Sequence, residues 1–273
     1  MRKRRVGFTL VEVSLFLAVT GLLFLGVTLG VQNSIYQQRY NDVVQGFADF
    51  LRNVYDGVLN VQNNTGDGRH NLAIYGKLIS FGEKNENEEQ VVYVYDVIGR
   101  AVSSDAREVG GGPTLTLLKN LGADVVFKVK DETDGKYKYR TVGVVEMYKP
   151  SWGARIQSTE GFEDYKGEIL VVRDPKSGTV RTFVGDDGPI EVNEKLNSLV
   201  GTSTGEDDEG ASILRDELSA FSPSEVDFCV NPNGTSESDR RTDIRLMESA
   251  ANASGVEIVG LDDESENGNR CNR

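Results

Sequence analysis

The sequence holds one histidine, one tryptophan and two cysteines in 273 residues. So few imidazole and thiolate groups exclude a structural zinc site, which takes four Cys or His ligands. His70 stands alone beside a polar stretch and supplies no acid–base constellation. There is no Gly-x-x-x-x-Gly-Lys-[Ser/Thr] string, so any nucleotide-driven motor that acts on this chain belongs to a partner. No EF-hand pattern, with acids at its first, third and fifth positions and a Glu at the twelfth, is present either. The acidic, glycine-bearing stretches 131–135, 186–188 and 207–210 therefore read as solvated turns, with a Ca²⁺ site as the alternative. Internal repeats and low-complexity tracts are missing as well. These absences give the expectation of a chain that is not an enzyme, has no catalytic residues and uses no cofactor.

Positive charge is scarce. Thirty Lys and Arg face 43 Asp and Glu, for a net charge of −13. A surface this acidic repels nucleic acid at long range, so no nucleic-acid partner is expected. The best local exception is Asp239-Arg240-Arg241-Thr242 with Arg245, read as a solvated mixture of signs.

Against this polar background stands one long apolar run. It begins at Phe8, reaches Val31, and has Glu12 as its only ionisable side chain. A bilayer-spanning helix needs about 20 apolar residues, so this run is long enough. Arg2, Lys3, Arg4 and Arg5 precede it, which orients residues 1–7 to the cytoplasm and the rest outside. An ordinary secretory signal has a shorter core, about 7–15 residues, and ends in an A-x-A-like site. No such site follows Leu25. A plain signal anchor accounts for the hydrophobicity but not for Gly7-Phe8 together with Glu12. A carboxylate inside an apolar span costs roughly 2.5–3.5 kcal/mol on insertion scales, so Glu12 calls for a reason.

The block Gly7-Phe8-Thr9-Leu10-Val11-Glu12 after a short basic leader resembles the class III signal of type IV prepilins and type II secretion pseudopilins. The resemblance implies cleavage after Gly7 by a prepilin peptidase and methylation of the new amino group on Phe8. Val11 stands where Ile is commoner. Glu12 matches the family's acid, which is thought to meet the Phe8 amine, its own or a neighbour's, inside an apolar seam. Gly26-x-x-x-Gly30, with Gly21, Thr20 and Thr28, marks a stretch able to pack closely. Many pilins carry a proline here, and this chain has none. The implied partners are other pilin subunits, the peptidase, an assembly platform protein, an ATPase and the membrane. Removing the four leader bases from −13 gives −17.

Beyond the run, Tyr36, Tyr40, Val43, Val44, Phe47, Leu51, Val54, Tyr55, Val58 and Val61 recur in steps of three and four. That period predicts an amphipathic continuation of the helix, stopped by Asn63-Asn64-Thr65-Gly66-Asp67-Gly68. The expected organisation is a leader at 1–7, a membrane or filament-core helix at 8–31, its amphipathic extension at 32–62, and a β-rich extracytoplasmic head at 63–273. The fold class is α+β, a long N-terminal helix packed on an antiparallel sheet, pilin-like by resemblance. Strands are expected at 71–80, 90–98, 125–130, 137–148, 168–173, 180–184, 226–230, 243–247 and 256–259, and short helices at 114–121 and 211–221. Asp174-Pro175-Lys176-Ser177-Gly178 predicts a hairpin turn.

Cys229 and Cys271 form an even pair in a chain read as exported, which favours a disulfide over two free thiols. Many pilins also staple a C-terminal loop this way. Trp152 and Tyr165 are candidates for an adhesive surface, although a lone Trp is more often core. The functional expectation is a structural subunit of a type IV pilus-like filament, by its size a minor pilin for assembly, adhesion or motility. It would be stored as a single-pass cytoplasmic-membrane protein and end in a cell-surface filament. A type II secretion pseudopilin and a non-polymerising, membrane-anchored binding protein are the alternatives.

Overall fold

The computed structural model describes residues 10–59, 72–84, 88–100, 114–130, 133, 135–141, 146–174, 177–185, 192–199, 202–204, 211–231, 241–259 and 270–272. Two units make up the chain, Met1–Asp42 and Val43–Arg273. The division falls inside helix α1, which runs from Leu10 to Leu59 without interruption. No proline lies in this stretch, and Glu12 sits in the first turn, where the helix dipole favours an anion.

In the second unit the helical period dictates what is buried. Val43, Val44, Phe47, Ala48, Leu51, Val54, Tyr55 and Val58 are all buried, on one face. They pack on two of three antiparallel sheets. The first sheet contains β1 (Leu72–Lys84), β2 (Gln90–Arg100), β5 (Glu146–Tyr148), β7 (Gly167–Arg173), β8 (Val180–Gly185) and β10 (Phe221–Pro223) in the order β10-β8-β7-β1-β2-β5, with β13 (Ser249–Ala250) also paired to β8. The second runs β14-β12-β11-β6, from β6 (Arg155–Ser158), β11 (Val226–Asn231), β12 (Thr242–Leu246) and β14 (Val256–Val259). The third joins β3 (Val126–Lys130), β4 (Tyr137–Thr141) and β9 (Ser203–Thr204). The coarse expectation of a helix with antiparallel sheet therefore holds, with three sheets in place of one.

Phe47 is the contact common to the first two sheets. Its ring meets Phe81 of β1 at 6.5 Å and Phe228 of β11 at 5.5 Å, both edge-on. Farther along the helix, the Tyr55 hydroxyl lies 2.5 Å from Thr182 Oγ1 of β8. Burial pushes the Tyr55 phenol up to about 12, so it stays protonated. The opposite face of the first sheet is also covered. Leu78, Tyr95, Leu170 and Phe183 meet Leu117 and Leu118 of α2 (Thr114–Asn120), and Leu196 of α3 (Val192–Leu199) joins the same core. A sheet buried on both faces reads as a continuous apolar run, which is why Ile169-Leu170-Val171-Val172 does not alternate.

Close approach fixes one glycine. A Cβ on Gly76 would sit 2.3 Å from the Val171 carbonyl oxygen, at the register shift where β1 bulges against β2. The β7–β8 hairpin forms as its turn residues dictate. Asp174 Oδ1 accepts the Ser177 N–H at 2.8 Å, and Gly178 takes φ +72°. Two expected elements are corrected. The strand read at 137–148 divides into β4 in the third sheet and β5 at the edge of the first. The helix read at 211–221 is a turn followed by the short 3-10 segment Glu217–Ala220 and then β10. There the N–H groups of Ile213 and Leu214 bond to Asp124, and Phe221 pairs with Gly185 of β8.

Candidate functional site

Two features stand apart from core packing. The first is the N-terminal half of α1. Leu10–Thr28 is long and apolar enough to cross a membrane, and none of it is buried. Leu10 is 86% exposed and Phe24 73%. Nineteen residues at 1.5 Å rise give about 28 Å, close to the thickness of a hydrocarbon core. Its hydroxyls are bonded within the helix: Ser14 donates to the Val11 carbonyl at 2.9 Å, Thr20 to Phe16 at 2.6 Å and Thr28 to Phe24 at 2.7 Å. Such back-bonding suits an environment with no water to satisfy side-chain hydroxyls. A Cβ added at Gly21 or Gly26 would meet nothing within 4 Å, so packing inside the chain does not require these glycines. They leave shallow notches of the kind that permit close helix contact. Glu12 is exposed on this segment. Gly7 and Phe8 lie outside the described residues.

The second feature is on the second sheet. Alternation sends Phe228 toward α1 and leaves Asp227 and Cys229 of β11, with Asp243 and Arg245 of β12, on the other face. Cys229 is bonded to Cys271 at an S–S distance of 2.07 Å. The bridge brings the 3-10 segment Arg270–Asn272 onto this face. The Arg270 guanidinium pairs with Asp227, and its backbone N–H donates to Asp243 Oδ2 at 3.2 Å. Arg245 Nε lies 2.7 Å from Asp227 Oδ1 and 3.0 Å from Glu225 Oε1, while Nη2 is 3.6 Å from Asp243 Oδ2. Asp243 is fully buried, and its Oδ1 has no hydrogen-bond partner among the described residues. Burial and then the neighbouring Asp227 carboxylate push Asp243 up to about 6, against the pull of Arg270 and Arg245.

Other sequence candidates are placed differently from expectation. Trp152 is not core. It is 59% exposed and left-handed, at φ 61° and ψ 22°. Tyr165 is half-buried and wedged against Phe81 at 5.0 Å and Phe228 at 4.9 Å, so it belongs to the aromatic core. The Arg-rich stretch is not a solvated patch, since Arg241 is buried and stacked 3.9 Å over the Phe162 ring and Arg245 sits among carboxylates. Asp239, Arg240 and His70 lie outside the described residues, as do nearly all of the acidic turns. Among the described residues there is no group of three or more His, Cys, Asp or Glu side chains able to hold a metal ion.

Gly201-Thr202-Ser203-Thr204-Gly205 fits the Gly-x-Ser-x-Gly pattern, a match the sequence reading overlooked. The pattern marks a nucleophile only at a sharp strand-to-helix turn, and Ser203 lies in β9, paired with Lys138 of β4. A cleft of about 360 Å³ opens between Ile98, Leu121, Phe127 and Tyr139. The one carboxylate among its described lining residues, Asp124, is taken up by Ser212 Oγ at 2.7 Å and by the N–H groups of Val125, Ile213 and Leu214. Asp124 so bonded ties the turn at residues 212–214 to the end of β2. Comparison with models of known families, with curated proteins and with solved structures returns no match.

Proposed function

We propose that this chain is a type IV pilin-like subunit, processed at Gly7-Phe8, that polymerises through α1 into a filament. The single observation that carries the reading is the division of labour along one helix. Its first nineteen described residues are apolar and wholly exposed, with one acid, while from Val43 onward it buries a face in the head. A monomer in water has no use for so much uncovered Leu, Val and Phe. A membrane covers it in storage, and the same segments of neighbouring subunits cover it in a filament. Cleavage after Gly7 would leave an ammonium on Phe8, four residues from Glu12 in the sequence. Two opposite charges in an apolar seam stabilise only the register that pairs them. The size of the chain, 273 residues, is what favours the minor-subunit form of this reading.

The test is to express the full chain with and without an active prepilin peptidase and measure the N-terminal mass. Loss of residues 1–7 with a methyl group on Phe8 is the expected result. An unprocessed chain, beside a control substrate that is cut, leaves only the anchored-protein reading. Glu12→Leu is expected to insert in the membrane normally. Its incorporation into filaments should fall roughly 100-fold or more, since stranding one charge of a buried pair costs about 3–5 kcal/mol. Undiminished incorporation would remove the ion pair from the mechanism.

A further inference from the structure

The polar face of the second sheet gathers charged groups that are buried or half-buried. Three carboxylates, Glu225, Asp227 and Asp243, meet two guanidinium groups, Arg245 and Arg270. From the remaining adjacent strand, β14, the charged residue is Glu257, which is exposed and in register with Arg245. Arg241, two residues before Asp243, is also buried and is stacked on the Phe162 ring. The most deeply buried carboxylate of the three, Asp243, has one oxygen bonded to the Arg270 N–H and the other, Oδ1, without a hydrogen-bond partner among the described residues. A proton on Oδ1 removes the charge that burial penalises. The cover over this face includes the segment Arg270–Asn272, held by the Cys229–Cys271 bond and by Arg270 itself.

We propose that this C-terminal segment is a proton-coupled clasp, closing as Asp243 takes up a proton and opening as that proton is released. The direction follows from burial. Closed, the clasp keeps water from Asp243 and holds its carboxyl above the ordinary range, with Asp227 adding repulsion. Opened by reduction of the disulfide, the face hydrates and the carboxyl returns to its usual acidity. Opening therefore sheds a proton between about pH 4 and 6, so acid tightens the clasp and neutral pH loosens it. For an extracytoplasmic chain, this ties resistance to reduction to the acidity outside.

The experiment is a redox equilibrium of the full chain in detergent, against a dithiol buffer with a diselenide catalyst, from pH 4 to 7. Each opening converts the Cys229–Cys271 disulfide and one reagent dithiol into two protein thiols and one reagent disulfide. Two electrons and two protons pass to the cysteine sulfurs, and below pH 7 the thiols on both sides stay protonated. The proton expected to register across this range is then the one from Asp243. The opening constant is expected to rise by tens of fold, on the order of 50, across this range. Asp243→Asn, which imitates the protonated state, should give a flat profile and resist reduction at pH 7. A flat or falling profile in the unaltered chain overturns the proposal, as does an Asn variant that follows it in parallel. Should that variant not fold, the Asp243 carboxyl is titrated by ¹³C NMR in oxidised and reduced protein. A value raised only in the oxidised form supports the clasp, and equal values refute it.

Discussion

Phe47→Ala is expected to cost about 3–5 kcal/mol of stability, the range for emptying a fully buried aromatic site. The side chain is completely buried, and its ring touches Phe81, Tyr148, Phe228 and Phe50. Those neighbours lie on α1 and on strands of two different sheets. The cavity therefore opens where sheets must stay in register on one helix, and neither sheet can collapse into it without moving the other. For a domain of this size the loss corresponds to a fall of about 6–20 °C in melting temperature. Phe47→Leu, which keeps much of the volume, should lose less than half as much. Leu17→Ala serves as the contrast, because Leu17 is 63% exposed on a segment buried nowhere in the chain. It should leave the melting of the head unchanged. Thermal unfolding of the full chain in detergent, followed by near-UV circular dichroism, measures all three. An unchanged midpoint for Phe47→Ala would mean that the aromatic junction does not hold the sheets together.

That junction was half legible in the sequence. The three-and-four spacing from Val43 to Val58 identifies the buried helix face residue by residue, since a helix allows only one solution to that pattern. The hairpin at Asp174–Gly178 was legible for the same reason, as its turn chemistry is local. What Phe47 packs against was not legible. Phe81 and Phe228 are far apart in sequence, and strand order is set by packing that leaves no local trace. Short elements escaped for a related reason. Arg155–Ser158 is a strand only because it borders β11, and Val192–Leu199 is too short for periodicity to separate it from a loop. Tyr137–Tyr148 misled because β propensity continues through it while the sheet partner changes from β3 to β2. The lone Trp was assigned by average behaviour, and Trp152 departs from that average. At the candidate site, Glu12 was conspicuous as the one acid in an apolar run, and the two cysteines by their rarity. The carboxylate cluster beside them was hidden, because Asp227, Asp243, Arg245 and Arg270 resemble any surface mixture until two strands and the tail bring them together.

Replacing both Cys229 and Cys271 with Ala is expected to cost about 4 kcal/mol in acid, the chain-entropy value for a closed loop of this length. The size of the loss should itself depend on pH, and the sign can be worked out. Asp243 titrates near 6 in the folded protein and near 3.8 unfolded. Unfolding thus releases a proton in that window. The carboxyl's handicap is absent below pH 4, grows as pH rises, and levels off above 6 at about 3 kcal/mol. In the variant without the bridge, Arg270 is no longer tethered and water reaches Asp243, so much of this handicap disappears. The two proteins therefore lie farther apart in acid than at neutral pH. Urea unfolding of both at pH 4.5 and pH 7.5 gives the comparison directly. A gap between bridged and unbridged protein that is wider at pH 4.5 means the disulfide does more than shorten the unfolded chain: it keeps a buried carboxyl dry. A gap of the same width at both values assigns the bridge to chain entropy alone and leaves Asp243 independent of the tail.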